Sequence, residues 1–200
     1  MNILRTSSEA EMIAEFLKAE YRSERFFEQI KEAMDRLSLN ESIILSANTN
    51  SVCENTARKK LLGEFRGYGL NRELFERFPA EIEWSLCNFV SSDLKNIRYI
   101  NYSYWNELSQ GTKSPLTAAQ TILNGTEIYE QSNEGFVKAA EFIKCGGKFP
   151  KVILLTSDFE HFVIVEGHLR MTAYALAPEC FNNIECFVGK CSDDDLKNWL

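Results

Sequence analysis

Glu166-Gly167-His168-Leu169-Arg170 is the stretch of this chain whose residue types and spacing could do chemistry. The apolar run Val163-Ile164-Val165 precedes it and a helical pattern follows, so the turn delivers a strand straight into a helix. A helix start presents unpaired backbone N–H groups and partial positive charge, which attract anions. Gly167 has no Cβ and lets a ligand approach the backbone closely. Arg170 falls in the first turn, where a cation opposes the helix dipole by about 0.3–1 kcal/mol unless something negative shares the site. Its guanidinium suits bidentate contact with a phosphate. Glu166 or His168 would then supply proton transfer or a metal contact. A plainer arrangement uses the same residues. Glu166 and Arg170 stand four apart and can simply pair, with Glu166 satisfying the helix start. His168 is then a structural or solvent-facing histidine.

A second segment could complete such a site. Trp105-Asn106-Glu107-Leu108-Ser109-Gln110-Gly111-Thr112-Lys113-Ser114-Pro115 offers Ser109, Gly111, Thr112 and Lys113 just before another helix start. Hydroxyls, a glycine and an ammonium in that place suit phosphate contacts. An ordinary surface turn capped by Ser114 fits the same residues. Tyr99, Tyr102, Tyr104 and Trp105 lie just upstream, able to stack on a base or to serve as core.

The elements that would position these residues follow from periodicity. Ser8-x-x-Glu11 resembles a capping box, with Ile13, Phe16 and Leu17 on one helical face after it. The N-terminal residues before it open into this charged helix pattern. Phe26, Phe27, Ile30, Met34 and Leu37 form a second stripe, and Ala57, Leu61, Leu62 and Phe65 a third that ends at Gly67 and Gly69. A short helix spans residues 71–78. Strands are expected over 81–86 and 97–102, where polar and apolar residues alternate or apolar ones cluster. Ser114-Pro115 opens a helix toward Gly125, and Phe136, Ala139, Ala140 and Ile143 mark another, closed by Gly146-Gly147. From there the order is strand 152–155, turn 157–160, strand 162–165, helix 168–177, strand 184–188 and a last helix after Ser192. The strand over 162–165 is continuously apolar, as expected where both faces are covered.

Composition sets the class. The chain has 200 residues, 44% hydrophobic and 26% charged, with 14 Phe, 7 Tyr and 3 Trp, enough bulk for a packed core. A formal charge of -7 argues against a protein that coats nucleic acid by charge alone. The basic residues Arg58, Lys59, Lys60, Arg66, Arg72 and Arg77 are interleaved with Glu64, Glu73 and Glu76, as on a solvated helix face. No apolar run approaches the roughly 20 residues that span a bilayer, and the N-terminus lacks a signal-peptide pattern, so a cytoplasmic protein is expected. The six cysteines and two histidines fit no zinc framework, and no metal site is expected from them.

Val165-Glu166-Gly167-His168-Leu169-Arg170-Met171-Thr172-Ala173-Tyr174 resembles the acid-Gly-His-x-Arg-Leu-x-Ala signature of ParB-like nuclease domains, in the ParB/sulfiredoxin-like superfamily. The upstream order agrees: a helix to Ile143, Gly146-Gly147, Phe149-Pro150, then a strand. The resemblance covers residues 134–188 and implies a site for a nucleoside triphosphate, with magnesium, or for nucleic-acid phosphate. Phosphohydrolase or nuclease activity is what it implies for chemistry. Sulfiredoxins carry a catalytic cysteine two residues before the motif arginine; His168 stands there, which removes that chemistry. Partition proteins carry a helix-turn-helix after this core, and only a dozen residues follow Val188, so partition-site binding is not expected on that side. The expected fold is therefore α+β: a helical N-terminal region, 1–80, packed on a small mixed-sheet ParB/sulfiredoxin-like core, 81–200, as one integrated unit. Gly167, Arg170, Ser109, Gly111, Thr112 and Lys113 are the expected phosphate-binding residues, and Glu166 and His168 the expected catalytic ones. The alternative is a non-catalytic module that keeps the fold and binds a protein partner through its N-terminal helices.

Overall fold

The computed structural model describes residues 1–200. The elements in chain order are β1 (Asn2–Thr6), α1 (Glu9–Tyr21), α2 (Phe27–Arg36), α3 (Ser42–Leu45), α4 (Val52–Arg66), β2 (Glu83–Phe89), β3 (Ile97–Arg98), α5 (Ser103–Leu108), α6 (Pro115–Leu123), α7 (Glu134–Lys144), β4 (Val152–Thr156), β5 (Phe162–Glu166), α8 (His168–Leu176), β6 (Ile184–Lys190) and α9 (Asp193–Lys197). The class is α+β. The chain divides into two compact units, one of residues 7–80 and one of residues 1–6 with 81–200.

The smaller unit is helical throughout. Ser8 caps α1 by accepting the Glu11 amide at 3.3 Å, and Ser51 caps α4 by accepting the Glu54 amide at 3.3 Å. Met12, Ile13, Phe16 and Leu17 from α1 are buried, as are Ile30, Ala33 and Met34 from α2 and Leu61, Leu62 and Phe65 from α4. Arg58 is fully buried on α4 and tolerates this because it is surrounded by acceptors: the Ile43 and Asn48 carbonyls, Glu54 and Asn55. The helix expected over 71–78 is reduced to a single 3-10 turn at Glu73–Phe75.

The larger unit is built on a six-stranded mixed sheet of order β1-β2-β6-β4-β5-β3. β1 is a correction to the helical reading of residues 1–80: it pairs antiparallel with β2 and belongs to the larger unit, outside the helical residues 7–80. All five of its residues are exposed, so no alternation marks it in the sequence. β4 and β5 form an antiparallel hairpin, while β4 runs parallel to β6 and β3 parallel to β5. α8 is the crossover from β5 back to β6. α6, α7 and α8 pack together, and Phe136, Ala139, Ala140, Ile143, Met171, Ala173 and Tyr174 from α7 and α8 meet Cys87, Phe89, Val152, Leu154, Phe162, Ile164, Cys186 and Val188 from the sheet. β4 is buried along its whole length and β5 up to Glu166, as their unbroken apolar runs require.

Candidate functional site

β5 ends at Glu166, and Gly167 turns the chain into α8 with φ 102°, a left-handed conformation that favours glycine. No side chain caps the start of α8. A Cβ at position 167 would stand 3.0 Å from Nη2 of Arg170 and 3.0 Å from a Val152 methyl. The room the glycine leaves is thus filled by the Arg170 guanidinium, and an approaching ligand does not find it open. Arg170 is 6% exposed. Its Nη1 donates to the Pro150 carbonyl at 2.7 Å and the Lys151 carbonyl at 3.2 Å, and its Nη2 pairs with Glu166. A buried guanidinium needs such partners, and they answer the dipole conflict expected of a first-turn cation. The local Glu166–Arg170 pair is the arrangement formed.

His168 opens α8 half-buried, its ring stacked on Trp105 at 5.1 Å and 16°. Trp105 in turn stacks on Tyr99 at 4.7 Å and 24°, and Tyr99 stands 6.0 Å from His168 at 17°. These distances close a triangle of near-parallel rings, so the indole overlies both neighbours. Tyr104 and Phe136 meet Trp105 edge-on. Tyr102 is 58% exposed and stands outside the cluster. Tyr99 is fully buried, with its hydroxyl 2.6 Å from Thr172 Oγ1. The Thr172 hydroxyl donates to the His168 carbonyl at 2.8 Å, so the Tyr99 phenol is the donor of the pair. Burial raises the Tyr99 pKa and keeps that proton in place.

The upstream segment is folded differently from the loop expected there. Ser103–Leu108 is helix α5, and only Ser109 to Ser114 form the loop. Ser109 is buried; its hydroxyl donates to the Trp105 carbonyl at 2.7 Å and accepts the Lys113 amide at 2.9 Å. The Thr112 hydroxyl donates to the Ser109 carbonyl at 2.7 Å. Both hydroxyls therefore hold the loop in shape. Gly111 has φ 77° and open space where a Cβ would be, and Gln110 and Lys113 share the positive φ. Tyr99 joins the two segments: its amide donates to the Lys113 carbonyl at 2.8 Å, its ring meets Trp105 and His168, and its hydroxyl reaches α8. Sequence reasoning missed Thr172, Pro150 and Lys151 as site residues. Thr172 was detectable only as the residue one turn after His168, and the two carbonyls carry no side-chain signal at all.

Elsewhere in this unit, Asp158, Glu160 and His161 stand together on the exposed β4–β5 turn, with ligand atoms within 4.8 Å of one another. Asp158 accepts the amides of Glu160 and His161 at 2.8 Å each and meets the His161 ring at 2.7 Å. Burial pushes the Asp158 carboxyl up, but these hydrogen bonds outweigh it and hold the group well below the usual carboxylate range. They close the turn. The six cysteines are free thiols. No helix is long and apolar enough to cross a membrane.

No family model matches the chain, and no match was found among curated proteins or solved structures.

Proposed function

We propose that the larger unit is a ParB-like domain that binds the phosphate of a nucleotide or nucleic acid at the start of α8. The observation that carries this reading is a nine-residue helix entered through a left-handed glycine, without any side-chain cap. The phosphate sits on the first-turn amides of His168, Leu169 and Arg170. Arg170 is then a positioning residue, shaping the turn from beneath through Pro150 and Lys151. Lys113, carried beside Tyr99, supplies the mobile cation, and His168 or Glu166 carries the proton in any phosphoryl transfer.

The test is a titration with nucleoside triphosphates, with and without magnesium, followed by melting temperature and tryptophan fluorescence. Binding predicts a saturable rise in stability, about 2.7 kcal/mol at a hundred times the dissociation constant. Quenching should be reduced in Trp105→Phe, since Trp105 lies on His168. No response to any triphosphate or oligonucleotide at millimolar concentration overturns the reading. A second reading, a protein-interaction module, is favoured by the internal engagement of Arg170 and by the apolar residues Val137, Phe142 and Leu169, each more than 40% exposed near α7 and α8.

A further inference from the structure

Two of the free thiols in the larger unit face each other. In the antiparallel ladder between β2 and β6, Cys87 stands directly opposite Cys186, with Leu86 opposite Phe187 and Asn88 opposite Glu185 on either side. Residues opposed in such a ladder project to the same face of the sheet. Here that face is the core: both cysteines are fully buried, in the cluster shared with α7 and α8. Opposed residues have Cα atoms about 4.5–5.5 Å apart, inside the span of roughly 4.4–6.8 Å that a disulfide bridges. The two thiols also act on each other electrically. Burial raises the Cys186 pKa first, and charge on Cys87 raises it further. Cys53, Cys145, Cys180 and Cys191 all lie outside the strands.

The place of this pair in the sheet gives it a consequence. β2 is held by β6 on one side and by the edge strand β1 on the other, so the β2–β6 ladder fastens the outer two strands to the remaining four. We propose that Cys87 and Cys186 are a redox site, a dithiol that a low-molecular-weight disulfide converts into a cross-strand disulfide joining β2 to β6. Attack begins when opening of the β1–β2 edge admits the reagent. Cys87, raised by burial to about 11, stays the more acidic of the two and supplies the first thiolate. It attacks one sulfur of the reagent, forms a mixed disulfide and releases the other half as a thiol. The Cys186 thiolate then attacks the Cys87 sulfur and releases the second half. The protein gives up two electrons and two protons, and the reagent takes both to become two small thiols. The site is independent of any ligand at the α8 turn.

The experiment exposes the reduced, folded full chain to millimolar oxidised glutathione, in buffer and in denaturant below the unfolding transition. Remaining thiols are then alkylated and the peptides mapped without reduction. The expected main product links Cys87 to Cys186, with no glutathione retained on either residue. The oxidised chain should keep its near-ultraviolet circular dichroism and melt about 5 °C or more higher, because the bond closes a long loop. Dithiothreitol should reverse the shift. Replacing the accessible thiols together, Cys53→Ser, Cys145→Ser and Cys180→Ser, should leave the link in place. Absence of the linked peptide in both conditions overturns the proposal. So does glutathione held stably on Cys87, because Cys186 is then out of reach. A link found only in chains that have lost their near-ultraviolet signal also overturns it, since the native ladder then does not position the pair.

Discussion

Arg170 carries a full charge into the protein interior, and its contacts show what makes that tolerable. Two carbonyls and a carboxylate surround the guanidinium, and each would be left with a buried, unmatched group if the arginine were removed. Arg170→Ala should therefore destabilise the chain by about 3 kcal/mol or more in denaturant unfolding, because breaking a buried pair strands its partner. Glu166→Gln keeps an acceptor in place and should cost less. A smaller loss in Arg170→Ala than in Glu166→Gln would show that the guanidinium is a surface group in solution. The same residues show how far the candidate site was legible. Spacing put Glu166, Gly167, His168 and Arg170 on one turn, and the structure keeps them there. It could not say where the guanidinium points, because Arg170 reaches carbonyls twenty and nineteen residues away. The hydroxyls of Ser109 and Thr112 were equally ambiguous, since a hydroxyl beside a glycine serves a turn or a ligand with the same atoms.

At the scale of elements, helix ends are set by backbone conformations that side chains obstruct to different degrees. Gly67 closes α4 at φ 82°, and Gly69 follows at φ 72°. Both pay the left-handed cost on substitution, about 1–2 kcal/mol for a residue with a Cβ. Only at Gly67 would the Cβ also collide, 2.2 Å from the Arg72 carbonyl oxygen; at Gly69 nothing lies within 4 Å. Gly67→Ala should lower the melting temperature clearly more than Gly69→Ala, and equal effects would mean that the 67–72 loop yields freely. Legibility follows burial here as well. β4, β5, α8 and β6 were readable because their apolar residues are buried in runs or at regular spacing. β1 and α5 were not, because β1 buries nothing and α5 buries only Leu108. β3 shrinks to two residues since Tyr99 already bonds to Lys113 in place of β5.

Across the whole molecule, ionisable groups of both units bias stability in a direction that pH can read. The carboxyls of Asp158, Glu54, Glu134 and Asp193 are held below their ordinary range by hydrogen bonds: from His161 to Asp158, which outweigh its burial, from the Asn48 amide to Glu54, and from Lys138 and Lys197 to the other two. A depressed carboxyl contributes stability that is present above its unfolded value, near 4, and is lost as pH falls through the folded one. The thiols behave in the opposite sense. Burial pushes Cys87 and Cys191 up to about 11, and Cys186, opposite Cys87 across β2 and β6, higher still through burial and then the nearby Cys87. Unfolded thiols ionise near 8.5, so the stability these groups contribute is full below that pH and drains as pH rises through the folded values. Buried Tyr99 and Tyr68, also raised by burial, extend the same limb. The melting temperature should hold a plateau between about pH 5 and 8 and fall on both sides. Cys186→Val separates the alkaline cause from general strain: any packing defect lowers the curve equally at every pH, whereas loss of a buried thiol flattens the decline above pH 9. A variant curve parallel to the parent's through that window would show that Cys186 does not couple to unfolding, and the limb would belong to the tyrosines.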